Sequence, residues 1–183
     1  MVSAAVNTED WPTFGLKRLL QPVEQAKGQK KYLFIWDKQG AVGTYMKYKG
    51  TLADIAPQVT QVVLGRKAYH EIGEEVRRLF VYAMQQGDNL CLDIDQTKPD
   101  FMAMNVEGTF LSDKFFDYDW LEQKENHLPY VRESEKRGGR VGFYRSNDFG
   151  MVIRSGAADE AELSAQIAKI PNFETQFEKC IIE

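Results

Sequence analysis

The sequence has few of the residues that build disulfide frameworks and metal clusters. Its 183 residues contain only two cysteines and two histidines. Cys91 lies inside an apolar run and Cys180 lies close to the end of the sequence. This count excludes a disulfide framework and a zinc cluster. We therefore assign no metal-ligating and no catalytic residues from the sequence.

Long hydrophobic runs and an excess of basic residues are also absent. No segment approaches the roughly 18 to 20 consecutive apolar residues that a membrane-spanning helix requires. The formal net charge is −4, and the basic residues are scattered among acidic ones, so the chain does not attract phosphate backbones or anionic lipids. We expect no membrane insertion and no nucleic-acid partner.

The first residues carry no targeting pattern. They lack a basic stretch followed by an apolar one, and Glu9 and Asp10 come early. This favours a cytoplasmic protein. A mature chain from which an organelle presequence had been removed would look the same, so the sequence does not exclude a location in an organelle.

The composition that is present is typical of a globular protein. Hydrophobic residues make up 43% of the chain and charged residues 27%, and the length suffices for one sizeable core. Residues 1–12 are mostly small or polar and end in Trp11-Pro12, where proline favours extended backbone in the residue before it. We predict an N-terminal arm over residues 1–12 and a single α/β domain over residues 13–183.

Three consecutive segments predict the fold class. Tyr32 to Trp36 is a compact aromatic and branched run, which is typical of a strand buried on both faces. Tyr69 to Gln86 has one apolar face and is followed by Gly87 as a stop, which predicts a helix. Asn89 to Asp95 resembles a second interior strand. This order predicts a three-layer α/β fold with a mainly parallel central sheet of about four or five strands.

The segments between the first strand and the long helix give weaker signals. Lys38 to Gly50 has the composition of a loop. Thr51 and Asp54 have the spacing of a capping box, followed by a short helix that Pro57 limits. Val59 to Leu64 fits a strand or a helical turn, and the pattern does not decide between them.

The second half of the chain predicts further helices and one hairpin. Ser112 to Asn126 is compatible with an acidic helix, and Ala158 to Ile170 with another. Val141 to Tyr144 and Gly150 to Arg154 are strand candidates joined by residues of hairpin-turn composition, after a basic turn at 137–140. Phe173, Phe177 and Ile181 recur every four residues, which predicts a C-terminal helical tail.

The loop after the first strand is where an open α/β sheet binds ligands. A phosphate-binding loop of the pattern G-x-x-x-x-G-K-[ST] needs glycines around the phosphate, a lysine and a hydroxyl. Lys38 to Tyr45 keeps only the second glycine, as Gly43, since Lys38, Thr44 and Tyr45 stand at the other signature positions. Leu90 to Asp93, with Asp95, is similar to a Walker B strand, whose terminal acid binds Mg²⁺.

Together these two segments resemble a degenerate P-loop NTPase-like domain, over about a third of the chain. The resemblance implies that Gly43 approaches a phosphate and that Asp93 faces a metal ion. The candidate cofactor-binding residues are Gly40, Gly43, Thr44, Asp93 and Asp95, with ATP or GTP and Mg²⁺ as the implied ligand. The missing lysine at Thr44 argues against catalysis.

We therefore hypothesise a non-catalytic binding or scaffold subunit of a larger protein assembly. Its partners would contact the aromatic arm, the acidic helix and the C-terminal tail, although the same aromatic residues could instead close the core. The alternative is a small nucleotide-dependent enzyme, of kinase or NTPase type, with atypical phosphate ligands. The sequence leaves enzymatic activity undecided and leans against it.

Overall fold

The structure, a computed structural model, describes residues 6–136 and 142–183. Within these ranges six parallel strands form one sheet in the order β1-β6-β2-β5-β4-β3. The strands are β1 Thr13–Phe14, β2 Tyr32–Trp36, β3 Thr51–Asp54, β4 Asn89–Asp95, β5 Gly150–Ser155 and β6 Phe177–Ile182. No helix in the described ranges combines the length and the apolar character that crossing a membrane requires.

Helices cover both faces of this sheet. The α-helices are α1 Leu20–Gly28, α2 Ala41–Lys49, α3 Ala56–Val63, α4 Tyr69–Gln86, α5 Ser112–Phe115, α6 Tyr118–Glu122, α7 Lys124–His127, α8 Glu160–Ile167 and α9 Phe173–Gln176. Short 3₁₀ turns lie at Leu16–Arg18, Met102–Met104, Leu128–Tyr130 and Glu133–Glu135. The α/β class and the parallel sheet are confirmed.

The central strand β2 shows why the fold has two cores. All five of its residues are buried, and their side chains alternate between the faces. Tyr32, Phe34 and Trp36 join the larger core, under α4 and α8. Leu33 and Ile35 join the smaller core, under α1 and α2. The sheet therefore forms the middle of three layers.

The two strongest sequence patterns are confirmed to the residue. Helix α4 has the predicted bounds and ends at Gly87, whose φ of 75° is left-handed. Strand β4 also has the predicted bounds. Both have an uninterrupted periodicity, so the local pattern and the tertiary structure agree.

The sheet has six strands rather than four or five, because both ends of the described chain join it. The predicted C-terminal helical tail is wrong beyond Gln176, since α9 is one turn long and β6 follows it. β6 inserts between β1 and β2, and its backbone groups pair with those strands. Phe173 and Phe177 still stack on each other, with ring centroids 5.7 Å apart.

The loop predicted for Lys38 to Gly50 is a helix over most of its length, because Gly40 takes up a left-handed φ of 74° and α2 begins directly after it. The capping box predicted at Thr51 and Asp54 is also wrong, since these residues bound strand β3. Val59 to Leu64, left undecided, lies in and just after α3.

Two further predictions change in the second half of the chain. The long acidic helix is divided into α5, α6 and α7, with the Asp117 side chain accepting the Trp120 N–H at the start of α6. The predicted hairpin does not form, because β5 pairs in parallel with β2 and β4, and Gly142 to Tyr144 have no strand structure. Val141 and the basic turn at 137–140 lie outside the described residues.

The described part of the predicted arm lies against the domain. The Val6 N–H donates to the Ser164 hydroxyl of α8 at 2.8 Å. The Trp11 ring meets Phe34 edge-on at 6.1 Å. The division into an arm and a single domain stays a prediction.

We expect Gly73→Ala to lower the free energy of unfolding by about 1 to 3 kcal/mol, because a Cβ there would collide with the backbone oxygen of Met104. Gly28→Ala is the matched control, since a Cβ at this last residue of α1 meets no atom within 4 Å. The control should be neutral or stabilising by up to about 1 kcal/mol. Urea denaturation measures both, and equal stabilities would contradict the close approach.

Candidate functional site

Charged side chains converge at the carboxyl edge of the sheet. Strands β2, β5 and β4 are neighbours, and they end next to Asp37, at Arg154-Ser155 and at Asp93 to Asp95. In a parallel sheet this edge also receives the first turns of the following helices, which makes it the usual ligand position. Its geometry therefore decides what the predicted nucleotide site can do.

Asp37 occupies the backbone donors of the loop that follows β2. The residue is fully buried. Its Oδ2 accepts the N–H of Val42 at 2.8 Å, and its Oδ1 accepts the N–H of Gln39 at 3.1 Å. Its own N–H donates to the Ser155 carbonyl at 2.8 Å. The first turn of α2 is therefore already bound to an anion, which is a carboxylate of the chain itself.

Arg154 crosses between the three strand ends. Its side chain is 5% exposed. Nη1 donates to Asp93 Oδ1 at 3.1 Å and to Asp95 Oδ1 at 2.7 Å, and Nη2 donates to the Asp37 carbonyl at 2.6 Å. Nε lies 3.4 Å from Asp37 Oδ2. Burial opposes the charge on Arg154, but Asp93, Asp37 and Asp95 outweigh it and raise its pKa.

A bulge aims Asp95 at this arginine. The register of β4 against β5 shifts between Asp93 and Asp95, and Asp95 has a left-handed φ of 44°. Gln166 of α8 holds the turn in place, because its Nε2 donates to the carbonyls of Asp95 at 2.7 Å and Thr97 at 2.8 Å. The strand irregularity is therefore supported by a fully buried amide.

The structure brings together four of the five predicted cofactor-binding residues. Gly40 and Gly43 lie beside Asp93 and Asp95, around Arg154. A Cβ on Gly40 would lie 3.6 Å from Arg154 Nη2, and one on Gly43 would collide with Asp93 Oδ2. Thr44 is exposed, and its hydroxyl turns back to the Gly40 carbonyl at 3.4 Å. Gly43 thus lets α2 approach an aspartate of β4.

The edge is rich in negative charge beyond the Arg154 cluster. Asp54 ends strand β3 opposite Asp93 of β4. Burial raises the pKa of Asp54, and the charges of Asp93 and Asp95 raise it further, against a small opposing effect of Lys47. The surroundings of Asp54 therefore disfavour an additional negative charge.

Sequence reasoning missed Asp37, Arg154 and Gln166. Asp37 follows directly on a buried strand, and Arg154 is a charged residue at the end of the apolar run Met151 to Ile153, so both had a local signal. Gln166 had none, because its role depends on which loop α8 covers. The described residues include no group of three or more His, Cys, Asp or Glu arranged to hold a metal ion.

Comparison with known proteins adds no relative to this description. No family model matches the chain, and neither a curated protein nor a solved structure does. The resemblance to P-loop NTPases accordingly stays a prediction that rests on Gly43, Asp93 and their positions in the fold.

We expect Arg154→Met to lower the free energy of unfolding by about 3 to 5 kcal/mol, because it leaves Asp37 buried and three carboxylates without their shared cation. Arg66→Met removes an exposed arginine and should change stability by less than about 0.5 kcal/mol. Chemical denaturation of both variants measures the difference. Equal effects would show that the cluster does not stabilise the sheet edge.

Proposed function

We propose that the chain is a non-catalytic binding or scaffold subunit of a larger protein assembly in the cytoplasm, on a nucleotide-binding-like α/β fold. The observation that carries the proposal is the occupation of the ligand position by the chain's own charges. Arg154 binds the acids at the strand ends, and Asp37 binds the N–H groups of the loop. The functional surface is then to be sought elsewhere on the fold.

Three features weigh against a nucleotide at this edge. A phosphate would compete with the Asp37 carboxylate for the N–H groups of Gln39 and Val42, and it would be repelled by that charge. The acids that a Mg²⁺ ion would use, Asp93 and Asp95, already bind Arg154. An NTPase would have to break the buried ion pairs of Arg154 before each turnover, at a cost of several kcal/mol.

The lysine of the loop is also directed away from the site. Lys38 Nζ lies 4.2 Å from the ring centroid of Trp36, in a cation–π contact. Thr44, which stands where the P-loop lysine would be, is exposed and carries no charge. No cation of the loop is therefore placed to reach the β or γ phosphate.

The surface that fits protein partners is the β3 edge of the sheet. β3 pairs with β4 and, within the described residues, its other side has no strand partner. Tyr48 on α2 is 79% exposed and Tyr82 on α4 is 52% exposed, and both helices contact β3. Val63, at the end of α3, is 80% exposed. An open strand edge flanked by exposed aromatic side chains suits protein recognition.

The partner surfaces predicted from the sequence need revision in this proposal. Phe115 and Phe116 of the acidic segment are fully buried. Phe173 and Phe177 in the tail are almost fully buried. These aromatic residues close the core, which was the alternative reading. The β3 edge takes their place as the proposed contact surface.

We expect neither Mg-ATP nor Mg-GTP to change the thermal unfolding midpoint, relative to Mg²⁺ alone. A nucleotide at 100 times its Kd would add about 2.7 kcal/mol, which is a shift of about 5 °C or more for a chain of this size. Differential scanning fluorimetry over a nucleotide series checks this. A saturable rise that is lost in Asp93→Asn would favour the nucleotide-dependent enzyme instead.

We expect the chain to migrate in native extracts well above its own 21.0 kDa, together with a stoichiometric protein partner. The double variant Tyr48→Ser/Tyr82→Ser should move to the monomer position with unchanged stability, because both side chains are exposed. Leu20→Ser, which changes an exposed residue of α1, is the matched control and should stay in the assembly. Monomeric migration of the wild type would contradict the scaffold proposal.

A further inference from the structure

Another buried arginine lies at the opposite, amino edge of the sheet. Arg145 is 8% exposed and stands in the irregular segment that leads into β5. Its guanidinium carbon lies 5.5 Å from the ring centroid of Tyr118 and 5.4 Å from that of Phe149. Aromatic rings therefore hold this cation in place.

Arg145 differs from the other buried arginines in that no carboxylate of the described residues lies within 4 Å of its guanidinium nitrogens. Arg77, 1% exposed, pairs with Glu74 and Glu135, and Arg154 pairs with three aspartates. In residues 6–136 and 142–183, Nε and Nη2 of Arg145 are enclosed without any hydrogen-bond acceptor, whereas Arg154 has only its Nε in that state, 3.4 Å from the Asp37 carboxylate. Burying a cation without a counter-charge costs several kcal/mol of folding free energy. The fold keeps Arg145 at this position despite that cost.

Arg145 lines a cavity of about 190 Å³ together with Lys124, His127, Asn147 and Glu122. Lys124 is exposed at the start of α7. The carboxylate of Glu122 is paired with Lys30 at 2.7 Å. Among the described residues, two permanent cations and one carboxylate therefore line the cavity, and Lys30 pairs with that carboxylate. The volume is sufficient for a group of the size of phosphate.

His127 supplies a further polar atom to this cavity. Its Nδ1 is 2.9 Å from the Leu121 carbonyl, which identifies Nδ1 as the protonated nitrogen and leaves Nε2 for other contacts. Burial lowers the pKa of His127, and the charges of Arg145 and Lys124 lower it further against the effect of the Leu121 carbonyl. All three side chains line the same cavity.

We infer that this cavity binds a phosphate-type dianion, either free phosphate or the phosphoryl group of a phosphomonoester. Lys124 and Arg145 supply the two positive charges that a dianion balances, the Asn147 side-chain amide supplies a hydrogen-bond donor, and His127 donates from Nε2 when phosphate binding protonates it. Because Nε and Nη2 are enclosed, Nη1 is the guanidinium nitrogen that would contact the anion. The site is independent of the closed nucleotide position, because it lies at the other edge of the sheet.

The test titrates the protein with inorganic phosphate and with phenyl phosphate, against sodium chloride of equal ionic strength. NMR of the histidine side chains gives a readout in which His70, exposed at the start of α4, serves as the internal control. Phosphate should raise the pKa of His127, since an anion reverses the effect of the two cations. The His70 resonances should not respond to phosphate.

The variants separate this site from general charge effects. Arg145→Met should weaken phosphate binding at least about tenfold, and Lys124→Gln about two- to fivefold, because Lys124 is exposed and screened. Lys98→Gln removes an exposed charge at the carboxyl edge and should leave binding unchanged. If Arg145→Met does not fold, the phosphate affinity of Lys124→Gln is compared with that of Lys98→Gln, and only the first should be weaker than wild type.

Two results would overturn the inference. One is a phosphate response no larger than that of chloride in the wild type. The other is equal phosphate affinity in wild type, Arg145→Met and Lys124→Gln. Tighter binding of phenyl phosphate than of phosphate supports a phosphomonoester ligand, and the reverse order supports free phosphate.

Discussion

A guanidinium group can be buried at little cost only where carboxylates or carbonyls surround it, and the carboxyl edge of this sheet is built around that requirement. Arg154 joins the ends of β2, β5 and β4, which are far apart in the sequence. Asp37 in turn fixes the first turn of α2. The loop after β2 and the two aspartates at the end of β4 all contact this one cation.

The same cluster shows how a fold can provide the position of a ligand site while its side chains do not suit the expected ligand. Parallel strands and following helices create a ligand position at their junction whatever the side chains are. Here Asp93 and Asp95 are paired with Arg154, and we propose that the charges that would recruit a nucleotide and a metal ion have a structural role instead. Fold-level analogy points to nucleotide binding, while the local electrostatics point away from it.

Sequence reasoning succeeded where one segment carries its own periodicity. Helix α4 and strands β2 and β4 have unbroken patterns, and their bounds are those of the structure. It failed at α2 and β3, since Gly40 and Gly43 give the α2 segment the composition of a loop and a four-residue strand is too short for a pattern. Gly40, Gly43, Asp93 and Asp95 meet in space around Arg154, and their role in binding a cofactor stays a prediction. Arg154 was missed, as its role depends on the sheet order, which no local pattern encodes.

The place of β6 in the sheet has a consequence for how the protein is made. Residues 177–182 insert between β1 and β2, which come from the first part of the chain. On the ribosome, β1 therefore has no strand to join, and β2 keeps one open edge, until residues 177–182 have emerged. Completion of the sheet is a late, long-range event, of the kind that slows folding and exposes apolar edges to chaperones meanwhile.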